Sequence, residues 1–390
     1  MAAAGARLFV TLGAARANRP FWGEIMSVTF VTTVTKSYIP LARVLMQSVE
    51  EMHPDARRVV VQVDGDPAAV GDAEILRPAD LIADPRELAV LTGLYNPLEF
   101  STALKPQLLI HELASADQVI FLDPDMRLFQ PCERALEELQ TGAGTLLTPH
   151  QLTPPRFLHN RGLYEWISKA MGAYNTAFVG ATRESLPFLE WWDSRLRRDC
   201  VADTRKQHWV DQKIMDLAPS YFDLDLLRDP AYNVAWWNLE ERPLSRGEGT
   251  WMVGDTPLVL MHYSGVRPAN PKNSEGNLPY LVHSEKNAVV DHPDQMAAIR
   301  ELEKEYITDL MAAGYADFST IPYGFDLTPG GRHLRARDRR RYRELVLSAE
   351  MNDRQPPLPD ELPREPLKWK LWAVADVLRD QLHKLRVKGD

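Results

Sequence analysis

The alternation of short apolar runs with longer amphipathic segments constrains the fold of this chain most. From Met26 onward, runs rich in β-branched residues alternate with stretches whose apolar residues recur at helical spacing. This alternation is typical of a parallel or mostly parallel sheet with crossover helices. The predicted strands are 28–35, 58–64, 118–123, 144–148, 174–180 and 258–263. The predicted helices are 39–51, 101–113, 185–198 and 209–217. We therefore expect an α/β fold with a Rossmann-like mixed sheet flanked by helices.

The length and composition divide the chain further. Its 390 residues exceed the roughly 100 to 200 of one typical domain. With 45% hydrophobic and 25% charged residues it resembles folded globular proteins, and disordered or disulfide-scaffold classes are unfavoured. We predict an α/β catalytic domain over 26–270 and a helical extension over 271–390. The net charge of −9 argues against a nucleic-acid partner.

The first 25 residues are rich in Ala and Arg and are predicted to be a disordered tail. The alternative is a signal peptide, although the apolar stretch that begins at Leu8 is short for one. Whether this tail is part of the natural protein stays open. Two cysteines, Cys132 and Cys200, lack any zinc or disulfide-framework spacing, which favours a reducing, cytoplasmic compartment. No run approaches the roughly 20 apolar residues that a membrane-spanning helix needs.

The extension is basic from about residue 332, with seven arginines in 332–343. From 332 to 390 it holds 15 Lys and Arg against 10 Asp and Glu, a local balance of +5. Its last predicted helix, 367–387, combines Trp369 and Trp372 with basic residues. This pattern indicates either a helix docked on the domain or a peripheral contact with the inner face of a membrane.

An apolar run that ends in two carboxylates is the segment that indicates a functional site most clearly. Asp123 ends the predicted strand 118–123, and Asp125 follows it after Pro124. Side chains at i and i+2 of an extended chain point to the same side, so the two carboxylates converge. Because they repel unless a cation lies beside them, and because oxygen ligands suit Mg²⁺ or Mn²⁺, the pair predicts a divalent-metal site. The alternative is an ordinary turn after a strand.

Two further motifs add candidate residues. A second apolar run, 258–261, ends at His262 and is followed by Gly265. His262 could supply a nitrogen ligand to the same ion, and Gly265 allows the backbone to approach an anionic group. Asp211 and Gln212 open the predicted helix 209–217. Since neighbouring helical side chains diverge, we expect only one of this pair to face a site.

These motifs, in this order, resemble glycosyltransferase family 8, a group of retaining, nucleotide-sugar-dependent enzymes with the GT-A fold. The resemblance covers residues 26–270. It rests on the first βα unit (30–50), the second strand (61–64), the helix 99–105, the Asp-Pro-Asp motif (123–125), the strand 174–180, the Asp-Gln pair (211–212) and the His-Tyr-Ser-Gly motif (262–265).

The resemblance implies a ligand for each matching position. Asp123, Asp125 and His262 would hold Mn²⁺ or Mg²⁺ with the donor diphosphate. The implied nucleotide-sugar contacts are Thr33, Thr35, Tyr38, Asp64, Lys105, Asn175, Gly265 and Arg267. Three positions depart from the family pattern. Thr35 and Lys36 replace an acidic pair, Thr-Ala-Phe follows Asn175, and Arg267 stands two residues after Gly265 where the family has a lysine three residues on.

The expected activity is transfer of a hexose-type sugar from a nucleotide sugar, expected to be a UDP-sugar, to a saccharide or glycolipid acceptor, with retention. Asp211 is the candidate base and Gln212 the candidate stabiliser of the cationic sugar. The segments 148–166 and 232–251 are candidates for acceptor recognition. Two alternatives remain: a sugar nucleotidyltransferase, and a non-catalytic scaffold in polysaccharide assembly. Beyond these expectations the sequence does not specify which sugar is donated, which nucleotide base the donor carries, which molecule is the acceptor, or the oligomeric state.

Overall fold

The computed structural model describes residues 26–154, 167–268, 276–277 and 293–363. The predicted tail (1–25) and the predicted terminal helix (367–387) lie outside these ranges. Within them, no helix combines the length and the apolar character that crossing a bilayer requires.

A seven-stranded mixed sheet forms the centre of the fold, which confirms the predicted α/β class. Its strands are β1 (Val28–Val34), β2 (Arg57–Gln62), β3 (Glu74–Leu76), β4 (Gln118–Leu122), β6 (Thr145–Pro149), β7 (Tyr174–Ala181) and β10 (Asp225–Leu226). Their spatial order is β10-β6-β7-β4-β1-β2-β3. The pairs β1–β2, β1–β4, β2–β3 and β6–β10 are parallel, whereas β7 is antiparallel to β4 and β6.

Helices cover both faces of the sheet because its central strands are apolar on both sides; every residue of β4 is buried. One face packs on helices that include Pro85–Leu94 and Leu186–Asp199, the other on helices that include Ile39–Met52 and Glu133–Thr141. Further α-helices are Pro78–Leu81, Pro97–Ala103, Lys105–Glu112, Pro293–Ala312, Tyr315–Phe318 and Ala336–Glu350.

Shorter strands lie outside the main sheet. They are β5 (Met126–Leu128), β8 (Ala202–Asp203), β9 (His208–Trp209), β11 (Leu244–Arg246), β12 (Trp251–Val253), β13 (Thr256–Pro257), β14 (Leu260–His262), β15 (Arg267–Pro268) and β16 (Gly276–Asn277). The predicted strand 258–263 is thus present as β14, but it pairs antiparallel with β5 rather than joining the main sheet.

Two helix predictions need correction. The predicted helix 101–113 is two helices, Pro97–Ala103 and Lys105–Glu112; the second has a proline, Pro106, in its first turn. The prediction of a helix over 209–217 is wrong. Trp209 ends the two-residue strand β9, and Val210 adopts a positive φ of 37°. A 3₁₀ helix, Lys213–Ser220, follows.

The described part of the extension packs against the α/β body. Tyr306, on the helix Pro293–Ala312, stacks on Tyr263 with ring centroids 3.8 Å apart. Arg339 is buried and donates to the carbonyl oxygens of Thr92 and Gly93. Some of the clustered arginines therefore serve intramolecular contacts, while the division of the chain at residue 270 stays a prediction.

The sheet topology gathers several strand ends at one edge. The carboxyl ends of β1, β4 and β6 lie there, and so does the beginning of the antiparallel strand β7. Because β2 and β4 flank β1 on opposite sides, the chain reverses its winding direction at this point, which is where open α/β sheets bind ligands.

Candidate active site

The two aspartates of the Asp-Pro-Asp motif lie directly beyond β4. The backbone N–H of Asp123 donates to Ala177 O at 2.8 Å, so Asp123 is still bonded to the neighbouring strand β7. The N–H of Met126 donates back to Asp123 O at 3.1 Å, which closes a tight turn. The side chains of Asp123 and Asp125 are 25% and 19% exposed. Both carboxylates are therefore half-buried at the carboxyl edge, as the sequence predicts.

The ladder between β14 and β5 brings His262 to this turn. His262 lies opposite Met126, and the N–H of Tyr263 donates to Asp125 O at 2.8 Å. His262 Nε2 lies 3.3 Å from Asp125 Oδ1. One ligand atom from each of Asp123, Asp125 and His262 falls within 4.8 Å of the other two.

This donor set fits a hard or borderline divalent cation. Two carboxylate oxygens and one imidazole nitrogen are ligands that Mn²⁺ and Mg²⁺ accept. Burial alone would raise the pKa of Asp125, but the neighbouring His262 and Arg267 outweigh burial and lower that pKa. Asp125 is therefore ionised at neutral pH, as a metal ligand must be.

A buried lysine lies on the other side of Asp123. Lys105 Nζ lies 3.0 Å from Asp123 Oδ1 and 3.6 Å from Asp211 Oδ2, and it donates to Thr176 O at 3.0 Å. Burial lowers the pKa of Lys105, but attraction to the two carboxylates outweighs this and raises the pKa above its usual value. Lys105 is thus a permanent cation shared by two carboxylates.

Asp211 and Gln212 both line the same cavity, which contradicts the expectation that only one of them would. They lie in the turn between β9 and the 3₁₀ helix, where the divergence of helical side chains does not apply. Burial raises the pKa of Asp211, opposed by Lys105. Gln212 Oε1 is buried and has no hydrogen-bond partner among the described residues. An acceptor without a partner at a cavity wall suits a ligand that carries donors.

These groups line a cavity of about 540 Å³, within the usual range for a small-molecule site. Twelve of the thirteen candidate residues contribute to its wall: Thr33, Thr35, Tyr38, Lys105, Asp123, Asp125, Asn175, Asp211, Gln212, His262, Gly265 and Arg267. Six segments that are separate in the sequence therefore meet at one place.

The rim of the cavity has its own polar contacts. Thr33 Oγ1 donates to Ser101 O at 3.0 Å. The guanidinium of Arg267 lies 4.9 Å from the centroid of the Tyr38 ring and donates to the Tyr38 hydroxyl. Burial raises the pKa of Tyr38, while Arg267 opposes that rise. Gly265 adopts a φ of +81°, a conformation that glycine allows at little cost.

Asp64 is the candidate that the structure does not place in the cavity wall. Its carboxylate accepts from the backbone N–H groups of Lys36, at 2.6 Å, and Gly324, at 2.7 Å. Both oxygens thus join the loop after β1 to the extension. The nucleotide-sugar contact that the resemblance implies for Asp64 stays a prediction, and this placement does not favour it.

Sequence reasoning missed several lining or supporting residues. Asn96, Ser101, Thr102, Trp209 and Ser264 line the cavity, and Asn233 supports it from beneath. Among the proposed acceptor contacts, Trp236, Trp237 and His150 line the cavity, while 155–166 lies outside the described residues. Only proximity along the chain to recognised motifs could have suggested these residues.

Comparisons with known proteins give one sequence relative. No known family profile matches the chain. An uncharacterized protein, YfnD of Bacillus subtilis (strain 168), is 28% identical over 204 residues, which is 49% of this chain and 61% of that protein. The chain thus spans about three fifths of the length of the curated relative it matches.

Solved structures of glycosyltransferases also match, at low similarity. The galactosyltransferase LgtC, in complex with donor and acceptor sugar analogues, is 17% identical, covers 76% of this chain and 98% of its own, and gives a TM-score of 0.39. Mouse xyloside xylosyltransferase 1 is 11% identical, covers 62% of this chain and 98% of its own, and gives a TM-score of 0.37. Both TM-scores are below 0.5.

Proposed function

We propose that this protein is a metal-dependent glycosyltransferase of the GT-A type, similar to family 8. It moves a hexose-type sugar from a nucleotide sugar, a UDP-sugar in the first instance, to a saccharide or glycolipid acceptor with retention. One observation carries the proposal. Asp123 belongs both to the cluster that it forms with Asp125 and His262 and to the ion pairs of the buried Lys105, and all these groups line one cavity at the carboxyl edge of a mixed sheet.

Each part of the cavity has a role in this reaction. Asp123, Asp125 and His262 would hold Mn²⁺ or Mg²⁺, which when bound supplies a Lewis acid for the departing diphosphate. Lys105 fixes the orientation of Asp123. Arg267 and the backbone at Gly265 lie at the rim, where they can bind phosphate oxygens. Thr33, Thr35 and Tyr38, at the end of β1, face the nucleoside.

The sugar would lie between Asn175 and Gln212. The carbonyl dipole of Gln212 can stabilise the positive charge that develops on the sugar ring. Asp211 is 1% exposed and already attracted by Lys105, so it is poorly placed to take a proton from an acceptor. This arrangement supports retention, in which the departing phosphate takes that proton.

The two alternatives gain no specific support. A sugar nucleotidyltransferase needs a glycine-rich basic loop after the first strand, and the segment 34–38 contains no glycine. In that segment, Lys36 Nζ donates to the backbone oxygen of Asp66. A scaffold that binds through its arginines would compete with the contacts that Arg339 and Arg343 make within the chain. A cytoplasmic location and peripheral membrane contact belong to the same proposal.

The direct test is sugar transfer or donor hydrolysis by the full chain over a panel of UDP-hexoses, with and without Mn²⁺. Asp125→Ala should reduce turnover at least about 100-fold, because loss of a ligand exceeds the effect usual for an outer-shell partner. Asp255→Asn, which alters an exposed acid in the β12–β13 hairpin, is the matched control and should keep full activity. Unchanged turnover in Asp125→Ala, with the metal still bound, would refute the assigned site. The anomeric configuration of the product, read by NMR, tests retention.

A further inference from the structure

A chain of buried amide and imidazole groups runs beneath the metal cluster. Asn175 Nδ2 contacts His150 Nε2 at 3.1 Å, and Asn233 Nδ2 donates to Asn175 Oδ1 at 3.1 Å. Asn233 Oδ1 in turn contacts His262 Nδ1 at 3.1 Å. All four residues are at most 4% exposed. Asn233 therefore lies between a proposed metal ligand and a residue of the sugar pocket.

One backbone group fixes the direction of every hydrogen bond in this chain. The N–H of Ala177 donates to the side chain of Asn175 at 3.1 Å, so the accepting atom must be Oδ1. Asn233 also faces that oxygen and must present its Nδ2, which leaves its Oδ1 toward His262. An oxygen acceptor requires a hydrogen on His262 Nδ1. Nε2 is thus the nitrogen that remains to bind a metal, and it is the one beside Asp125.

The position of Asn233 is determined by several independent contacts. Its backbone adopts a φ of 52°, a left-handed conformation that asparagine tolerates better than most residues. Its carbonyl oxygen accepts from Arg242 Nη1 and from Asn238 Nδ2, both at 3.0 Å. Its Nδ2 also donates to Thr148 Oγ1 at 2.8 Å. A strained residue persists only where its surroundings hold it, and such residues cluster at functional sites.

We propose that Asn233 is a positioning residue that directs Nε2 of His262 toward the metal and couples this ligand to Asn175. The inference rests on the proposed function, since it needs a metal at the cluster. Metal-binding histidines usually donate their other ring N–H to an oxygen, and loss of that partner typically costs 10- to 100-fold in metal affinity or activity. Here the side-chain amide of Asn233 contacts His262 through its oxygen and donates to Asn175, beside the proposed sugar site, through its nitrogen.

Three variants separate these functions. Asn233→Gly keeps the left-handed backbone and removes both ends of the amide. Asn233→Asp keeps an oxygen for His262 Nδ1 but loses the donor to Asn175. Thr148→Val is the matched control for metal binding, because it removes another partner of Asn233 Nδ2 and a hydrogen bond to Asn175 O but leaves the contact with His262.

The experiment is an Mn²⁺ titration of the full-length variants in the presence of UDP, followed by the electron paramagnetic resonance signal of free Mn²⁺. Asn233→Gly should bind Mn²⁺ about 10- to 100-fold more weakly than wild type. Asn233→Asp and Thr148→Val should bind within about threefold of wild type. In donor hydrolysis, Asn233→Asp should lower kcat more than it changes the Mn²⁺ affinity, because Asn175 loses its partner.

The outcomes distinguish this inference from the proposed function. If wild type binds no Mn²⁺, the metal site fails and the role of Asn233 fails with it. If wild type binds and Asn233→Gly binds equally well, only the role of Asn233 is refuted. Equal weakening in Asn233→Gly and Thr148→Val would show a general loss of packing and would also refute it. If Asn233→Gly does not fold, weakened Mn²⁺ binding in Asn233→Asp would overturn the inference.

Discussion

The positive charges in the inner part of the cavity, at Lys105, and in its outer part, at Arg267, have different partners. In the inner part, Lys105 is 3% exposed and lies between the carboxylates of Asp123 and Asp211. In the outer part, Arg267 is exposed at the rim and contacts Tyr38. The inner cation is committed to the protein's own carboxylates, whereas the outer one retains access to solvent and to a ligand.

This difference separates stability from binding. Buried ions are costly to leave unpaired, so substitution of an inner group should change the free energy of unfolding. Exposed ions contribute little to stability because water screens them, so substitution at the rim should change ligand affinity instead. Substitutions in the inner and the outer part should therefore affect different measured quantities.

The largest effect is expected for Lys105→Met, which removes the cation and keeps much of the side-chain volume. It leaves the buried carboxylate of Asp211 without a positively charged partner, which should destabilise the fold by about 3–5 kcal/mol in urea unfolding. Lys206→Met is the control: Lys206 is 82% exposed and pairs with Asp203 at 3.9 Å, so the cost should be below about 1 kcal/mol. Equal unfolding midpoints for Lys105→Met and wild type would contradict a structural role for the inner pair.

The same variant has an expected pH dependence. Burial raises the pKa of Asp211 above 3.8 even with Lys105 present, so the folded state binds this proton more tightly than the unfolded state. Above that raised pKa, the ionised carboxylate of Asp211 therefore lowers the free energy of unfolding. This loss of stability disappears as the pH falls toward 3.8 and Asp211 takes up its proton. Without Lys105 the pKa should rise further. The difference in the free energy of unfolding between Lys105→Met and wild type should be largest at neutral pH and should decrease on acidification. A difference that does not change with pH would contradict this account.

Local patterns predicted the edge of the sheet well. The strand that ends at Asp123 could be recognised because a buried strand is a continuous apolar run and Pro124 cannot continue a ladder. The convergence of Asp123 and Asp125 follows from the period of two in extended chains. Both conclusions need only neighbouring residues, and the structure places these groups as expected.

Long-range pairing could not be predicted in the same way. His262 reaches Asp125 through a ladder between β5 and β14, segments more than 130 residues apart. The turn at Asp211 depends on a positive φ at Val210, which apolar periodicity does not reveal. Asn233 belongs to no recognisable motif, and its importance follows only from the three side chains that its side-chain amide contacts. Such features depend on tertiary contacts rather than on local spacing.

An intermediate effect is expected for Asp64→Asn, which tests a residue outside both parts of the cavity. The two carboxylate oxygens of Asp64 each accept from one backbone N–H, whereas asparagine has only one side-chain oxygen, so one N–H should lose its acceptor. The free energy of unfolding in urea should therefore fall by about 1–3 kcal/mol. The exposed neighbour Asp66→Asn should change stability by less than about 0.5 kcal/mol. If Asp64→Asn instead raises the KM for the donor more than about tenfold at unchanged stability, Asp64 contacts the nucleotide and the structural role is wrong.

The smallest effect on stability is expected at the rim, where Arg267→Ala should raise the KM for the nucleotide sugar about tenfold, or about 1.4 kcal/mol. The guanidinium stacks on Tyr38 beside Gly265 and can contact phosphate oxygens, but it is exposed and its removal leaves no buried charge. Arg246→Ala is the matched control, since Arg246 stacks on Trp251 with its guanidinium 4.5 Å from the ring centroid and does not line the cavity. Both variants should unfold within about 1 kcal/mol of wild type, and only Arg267→Ala should change KM. If Arg267→Ala destabilises the fold and leaves KM unchanged, the inner and outer parts of the cavity do not divide stability from binding.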